Sequence, residues 1–167
     1  MGGPTAWQDG RVRPIATLLA ATALVAPLPG CGPEPAETAR ATSEAVLAFA
    51  TAHGPAELAV TVADSPSERT RGLAGVERLP EGEGMAFLWP EPVRARFWMK
   101  DTTIPLSVAF WDERGRIVGI VHMEPCMAEP CPIYPAPGPV VGAVEVNQGW
   151  FDRHGVRVGD AVALRDR

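Results

Sequence analysis

The chain has 167 residues, of which 46% are hydrophobic and 21% are charged, a balance typical of one globular domain with extensions. Its formal net charge of −5 argues against the class of proteins that hold a nucleic-acid backbone on a basic surface. We therefore expect no nucleic-acid partner. The 18 prolines and 17 glycines predict many turns between short elements.

The first thirty residues have the pattern of an export signal. Two arginines precede an apolar run from Ile15 to Leu28, whose length suits a signal-peptide core and is short for a membrane-spanning helix. The segment Leu28-Pro29-Gly30-Cys31 resembles the bacterial lipoprotein box, in which the cysteine is lipidated and becomes the mature N-terminus. We expect residues 1–30 to be a signal peptide and Cys31 to anchor an extracytoplasmic protein to the membrane. Without lipidation at Cys31, the same signal predicts a secreted protein.

The segment after the cysteine has the composition of a linker. Residues 32–55 are rich in proline, alanine and glutamate, which is typical of a flexible tether. Within it, Ser43–Ala52 contains good helix formers and predicts a short helix. The globular domain is then expected over residues 56–167.

From residue 56 onward, short apolar stretches alternate with turn signals. This pattern predicts a compact, mainly β (α+β) single domain, with about seven short strands in a barrel-like or sandwich arrangement and one or two short helices. A capping box, Ser65-Pro66-Ser67-Glu68, with proline at the first helical position predicts a helix to about Gly72. One further helical turn is expected within Gln148–His154. The expected strands are Glu57–Val62, Gly84–Trp89 ended by Pro90, Val93–Met99, Leu106–Trp111, Arg116–Met123, Val140–Val146 and Ala161–Leu164. Leu106–Trp111 and Arg116–Met123 are expected to form a hairpin around the turn Asp112-Glu113-Arg114-Gly115.

Two of the three cysteines lie in a proline-rich stretch, residues 124–139, that predicts an irregular loop. In an oxidising compartment Cys126 and Cys131 can form a disulfide. We favour this bond over a metal site that would include His122, because the cysteine spacing is longer than in a zinc knuckle and no second Cys/His pair accompanies it. We expect no metal and no cofactor.

Several motifs occur in a fixed order along the domain. They are Gly72-Leu73, Gly84-Met85-Ala86-Phe87, Phe97-Trp98-Met99-Lys100-Asp101-Thr102, Ile104-Pro105-Leu106, Glu145 before Gly149, and Gly159-Asp160. Together they resemble the bacterial and archaeal family called domain of unknown function 192, over about residues 57–165. The resemblance implies a compact, mainly β domain that is often exported, and it implies no established activity. Two positions depart from the usual family pattern, which has methionine at Ala74 and an acidic residue at Ser107.

The strand predicted over Val93–Met99 separates its side chains onto two faces. Because side chains alternate along a strand, Phe97 and Met99 share one face, which we expect in the core, and Trp98 and Lys100 share the other. Lys100 is the only lysine among 15 lysines and arginines. A compact ammonium group beside an indole ring is explained by a ligand carboxylate or phosphate, by an internal ion pair, or by chance, and one sequence does not decide among the three.

We combine Trp98, Lys100, Thr102 and Glu145 into one candidate ligand-binding site. An aromatic face with a neighbouring charge suits a sugar, a carboxylate or a peptide terminus. Glu145 lies in an apolar strand and needs a partner if it is buried. Lys100 is the obvious candidate, so this pair is either a structural bridge or part of the binding site.

The expected function is binding of a small polar ligand or a cell-envelope component, rather than catalysis. One alternative is a hydrolase-like enzyme acting on envelope material, with Lys100 or Glu145 as the acid or base. We do not expect Ser107 to act as the nucleophile of such an enzyme, because it lies in no hydrolase motif. The other alternative is a structural partner-binding module, which predicts an exposed apolar patch at Trp89, Trp111 or Trp150.

Overall fold

The computed structural model describes residues 45–166. This part of the chain forms nine strands and two short helices, which confirms the expected mainly β class. The strands are β1 (Ala45–Thr51), β2 (Gly54–Ala63), β3 (Glu83–Val93), β4 (Arg96–Trp98), β5 (Leu106–Trp111), β6 (Ile117–Met123), β7 (Ile133–Pro135), β8 (Val140–Asn147) and β9 (Ala161–Asp166), and the helices are α1 (Pro66–Arg71) and α2 (Trp150–Arg153). Within the described residues, neither helix is long and apolar enough to cross a membrane.

Seven strands form one curled sheet, a half-barrel, in the order β6-β5-β8-β3-β2-β1-β9. Neighbouring strands are antiparallel except β2 and β3, which are parallel and are connected through α1. The two edge strands come together at one end, where Arg116 bridges to Ala161 and the Ile117 amide donates to the Asp160 carbonyl at 3.0 Å. Strands β4 and β7 pair separately as a two-stranded ribbon.

Alternation along the strands gives the sheet an apolar cluster on each face. In β8, Val144 belongs to the cluster that contains Phe49, Trp150 and Phe151, whereas the adjacent Ala143 belongs to the other cluster. The second cluster centres on three phenylalanines with T-shaped ring contacts: Phe97 lies 5.0 Å from Phe87 and 5.5 Å from Phe110, measured between ring centroids. This second face carries the β4–β7 ribbon and the candidate site.

The helix predicted over Ser43–Ala52 is wrong. Ala45–Thr51 is β1, which pairs with β2 on one side and β9 on the other. Leu47 and Phe49 are almost completely buried there, so tertiary pairing and burial outweigh the helix propensity of the segment. The part of the predicted tether from residue 45 to residue 55 therefore belongs to the sheet and to the turn that joins β1 and β2. The predicted signal peptide and Cys31 lie outside the described residues.

Two other predicted strands have different lengths. Strand β3 continues through Pro90 to Val93 instead of ending at the proline. Its register with β8 shifts between Leu88 and Val93. The nitrogen of Pro90, which has no hydrogen to donate, therefore lies in an irregular stretch of the β3–β8 pairing. The strand expected over Val93–Met99 is reduced to β4, three residues long. The predicted α1, the β5–β6 hairpin and the final strand are confirmed.

Candidate functional site

A cleft of about 600 Å³ opens on the second face of the sheet. It lies between α1, β3, β4 and the turn that follows β4, and the side chain of Glu145 reaches it from β8. The capping box predicted for α1 is present: the Glu68 amide donates to Ser65 Oγ at 3.3 Å, and the Ser65 amide donates to Glu68 Oε2 at 3.0 Å. This box fixes the start of a helix whose C-terminal half lines the cleft.

All four residues of the predicted site line this one cleft. The alternation predicted from the sequence is confirmed, because Phe97 and Met99 are buried while Trp98 is 47% exposed. Lys100 Nζ lies 5.7 Å from the centroid of the Trp98 ring, within cation–π range. The indole and the ammonium group therefore form a single surface at the rim.

Lys100 does not pair with Glu145, the candidate partner considered from the sequence. Lys100 Nζ lies 2.6 Å from Glu129 Oε1, in the loop closed by the Cys126–Cys131 disulfide. The hydrogen bond with Glu129, and then its charge, raise the pKa of Lys100, and the same contacts lower the pKa of Glu129. The sequence did not predict Glu129 as the partner, because nothing in the motif around Lys100 shows that the disulfide loop folds back onto the turn after β4.

Glu145 provides the buried carboxyl group of the cleft. It is 4% exposed and lies in β8 between Met85 of β3 and Val108 of β5. Among the described residues it forms no ion pair, and burial raises the pKa of its carboxyl to about 8. The group is therefore mainly protonated at pH 7, and a neutral carboxylic acid can donate as well as accept a hydrogen bond.

The turn after β4 is closely held. The Thr102 amide donates to the Met99 carbonyl at 3.1 Å, and the Asp101 carbonyl accepts from the Gly75 amide at 2.9 Å. Asp101 has φ 57° and is the only non-glycine residue of the described chain with positive φ, a conformation that aspartate tolerates better than most residues. Thr102 is buried, so it shapes the cleft more than it offers a hydroxyl to a ligand.

Four arginines of the cleft wall were not included in the predicted site: Arg69, Arg71, Arg94 and Arg96. Arg69 donates to the carbonyls of Asp64 and Leu88, the latter at 2.9 Å, and its guanidinium lies 5.7 Å from the Trp89 ring centroid. A signal for Arg94 and Arg96 was present in the sequence, since both alternate in phase with Trp98 and Lys100. For Arg69 and Arg71 the sequence contains no such signal, because no local pattern predicts that α1 lines the same cleft as β4.

The sequence matches the family model of domain of unknown function 192 (DUF192), described as "Uncharacterized ACR", over residues 48–164. The chain belongs to this family. No curated protein matches the chain. The matched segment includes every residue of the cleft named above.

Two solved crystal structures resemble this DUF192 protein. A protein of unknown function from Novosphingobium aromaticivorans DSM 12444 is 30% identical, with a TM-score of 0.66, over 71% of this chain and 83% of that one. A protein from Sinorhizobium meliloti 1021, titled "putative transcription regulator", is 31% identical, with a TM-score of 0.67, over 72% of this chain and 92% of that one.

Ser107 of the DUF192 domain is buried outside the cleft, and its hydroxyl takes part in a hydrogen-bond network that leads to exposed side chains. Its Oγ lies 2.8 Å from His122 Nδ1 and accepts from the Gly149 amide at 3.2 Å. His122 Nε2 is 3.8 Å from Asp152 Oδ2. Although the three residue types are those of a hydrolase triad, the serine is completely buried and does not line the cleft. The geometry is that of a link between β5, β6 and α2.

The apolar patch expected for a structural partner-binding module does not form at the three tryptophans. Trp111 and Trp150 are buried in the first apolar cluster, and Trp89 lines the cleft beneath the Arg69 guanidinium. These side chains are used for packing and for the cleft wall.

Proposed function

We propose that this DUF192 protein binds a small polar ligand or a cell-envelope component in its cleft, as a lipid-anchored protein outside the cytoplasm. The observation that carries the proposal is the convergence, in one cavity of about 600 Å³, of an exposed indole face, a held ammonium group and a buried carboxyl. Binding sites for small molecules combine an apolar wall with a few convergent polar groups of this kind.

The proposed compartment is supported by two independent features. The N-terminal sequence has the pattern of a lipoprotein signal ending at Cys31. The domain also contains the Cys126–Cys131 disulfide, and disulfides persist mainly in oxidising compartments.

One observation favours the hydrolase-like alternative. Glu145 lies in the cleft with a pKa raised to about 8, and raised carboxyl pKa values are typical of catalytic acids. An acid–base mechanism needs a second group, however, and among the described residues of the cleft wall Asp101 is the only other carboxylate. Of the threonine hydroxyls there, that of Thr70 donates to the Pro66 carbonyl at 2.8 Å. No activated nucleophile from the described residues faces the cleft, so binding is the better-supported function.

A ligand screen by thermal unfolding tests the proposal. The parent and Trp98→Ala are compared across a library of small polar molecules and envelope fragments. A ligand at a hundredfold excess over its Kd should stabilise the parent by about 2.7 kcal/mol, and this gain should be lost in Trp98→Ala. Trp98 is half exposed, so its truncation should leave the fold intact.

Two further variants complete the design. Val158→Ala removes an exposed apolar side chain away from the cleft and should retain binding. Ala74→Trp places a much larger side chain on the cleft wall and should abolish it. Binding that survives both Trp98→Ala and Ala74→Trp would contradict the proposed site, and chemical conversion of a bound ligand would favour the enzyme.

A further inference from the structure

The charge of the cleft is opposite to that of the chain. The chain carries a formal net charge of −5, yet five cationic side chains line the cleft against two carboxyl groups, those of Asp101 and Glu145. The cationic residues are Arg69, Arg71, Arg94, Arg96 and Lys100. A concentration of one sign of charge around a cavity raises the local concentration of ligands of the opposite sign.

Two of these cations already have protein partners. Lys100 is paired with Glu129 at 2.6 Å, and Arg69 is held by the carbonyls of Asp64 and Leu88. By contrast, Arg71, Arg94 and Arg96 form no ion pair with another residue of the described chain. Guanidinium groups match carboxylate and phosphate oxygens through paired N–H donors.

The buried carboxyl does not oppose an anion. Burial raises the pKa of Glu145 to about 8, so near neutral pH the group is mainly uncharged and can donate a hydrogen bond. The backbone of Gly72 passes close to it, since a Cβ built on this glycine would lie 3.8 Å from Glu145 Oε2. The protonated Glu145 carboxyl is therefore compatible with an acceptor oxygen of the ligand.

We propose that the cleft ligand is a small molecule with an oxyanion, a carboxylate or a phosphate monoester, attached to a flat or apolar body. Arg71, Arg94 and Arg96 bind the oxyanion, and the body packs against Trp98. This inference rests on the proposed binding function and names the chemical class of its ligand.

Pairs of probes that share one aromatic body and differ in the charge of the attached group test the class. Benzoate is compared with benzamide, and phenyl phosphate with its neutral dimethyl ester, by calorimetric titration of the full chain. Each anion should bind at least tenfold more tightly than its neutral partner, and its affinity should fall as sodium chloride is raised. The pair with the larger difference distinguishes carboxylate from phosphate, and a tenfold difference in either pair supports the inference.

Arginine variants locate the effect. The double variant Arg94→Gln/Arg96→Gln should weaken anion binding at least tenfold and leave neutral probes unchanged. Arg114→Gln serves as the control, because Arg114 is exposed in the β5–β6 turn outside the cleft. Equal binding of charged and neutral partners would overturn the inference while leaving the proposed function standing. If no probe binds but the thermal screen finds a neutral ligand, the inference is again overturned alone. Failure of both experiments would overturn both proposals.

Discussion

At the scale of single residues, Glu145 links the stability of the domain to pH. Its carboxyl has an ordinary pKa of 4.5, and burial raises this pKa to about 8. The native state therefore holds the proton more tightly than the unfolded chain does. This stabilisation is complete below about pH 4.5 and is lost as the pH rises through about 8.

Glu145→Gln should remove this pH dependence, because the amide is neutral at every pH and has nearly the same shape as the protonated acid. Between pH 6 and pH 9 we expect the free energy of unfolding of the parent to fall by about 2–3 kcal/mol more than that of the variant. Urea denaturation at the two pH values measures the difference. Glu91→Gln, on an exposed part of β3, is the matched control and should behave like the parent. Identical pH slopes for the parent and Glu145→Gln would contradict the assignment.

The sequence predicted which residues line the site better than it predicted which residues contact one another. Period-2 alternation was sufficient to place Trp98 and Lys100 together, because that property is local to one strand. The ion pair of Lys100 was not predictable, since its partner Glu129 is fixed by a disulfide loop folding over the cleft rim. The contribution of α1, Arg71 in particular, depends on the crossover between two parallel strands.

At the scale of elements, β8 is the strand that positions the site. It is an interior strand of the sheet, paired with β3 on one side and β5 on the other, and it carries Glu145 on the face opposite to Val144 and Val146. A glycine allows β8 to pass beside a large aromatic side chain: a Cβ built on Gly142 would lie 2.0 Å from Trp111 Cζ2. Since Trp111 is itself buried, it has little room to move away.

Gly142→Ala should therefore destabilise the domain by about 3 kcal/mol, the upper end of the usual cost of overpacking. Chemical denaturation of the parent and the variant measures this loss. Gly138→Ala is a suitable control, because a Cβ there would meet no atom within 4 Å and its φ is not positive. A loss of less than about 1 kcal/mol in Gly142→Ala would show that the sheet adjusts more easily than packed interiors normally do.

The helices and strands were predicted correctly where their signal was local in the sequence. They were predicted wrongly where pairing with another strand determined the secondary structure. The capping box is sufficient to start α1, and the turn Asp112-Glu113-Arg114-Gly115 is sufficient to join β5 and β6, so both were predicted correctly. The segment Ala45–Thr51 was assigned to a helix because its composition favours one. It becomes a strand because β2 and β9 are both available to pair with it.

At the scale of the whole molecule, the fold places the cleft on the face of the sheet opposite to the first apolar cluster. The first apolar cluster, with Phe49, Trp150 and Phe151, packs against one face of the curled sheet. The second face carries the cleft, the β4–β7 ribbon and the disulfide loop. Side chains of the cleft rim can therefore be substituted without disturbing the first cluster. This separation makes the rim variants proposed above informative about binding.

The location of the protein gives the last prediction. If Cys31 receives the lipid anchor, a full chain expressed in a bacterium with an alkyne-tagged fatty acid should carry the label and sediment with membranes. Cys31→Ser should lose both the label and the membrane association, because no other residue can take the position that the lipoprotein signal specifies. Cys131→Ser is the matched control: it removes the disulfide and should retain the label. An unlabelled parent released from the cells would instead indicate an ordinary secretory signal, and the cleft would then serve a soluble secreted protein. Label retained in Cys31→Ser would exclude this cysteine as the site of attachment.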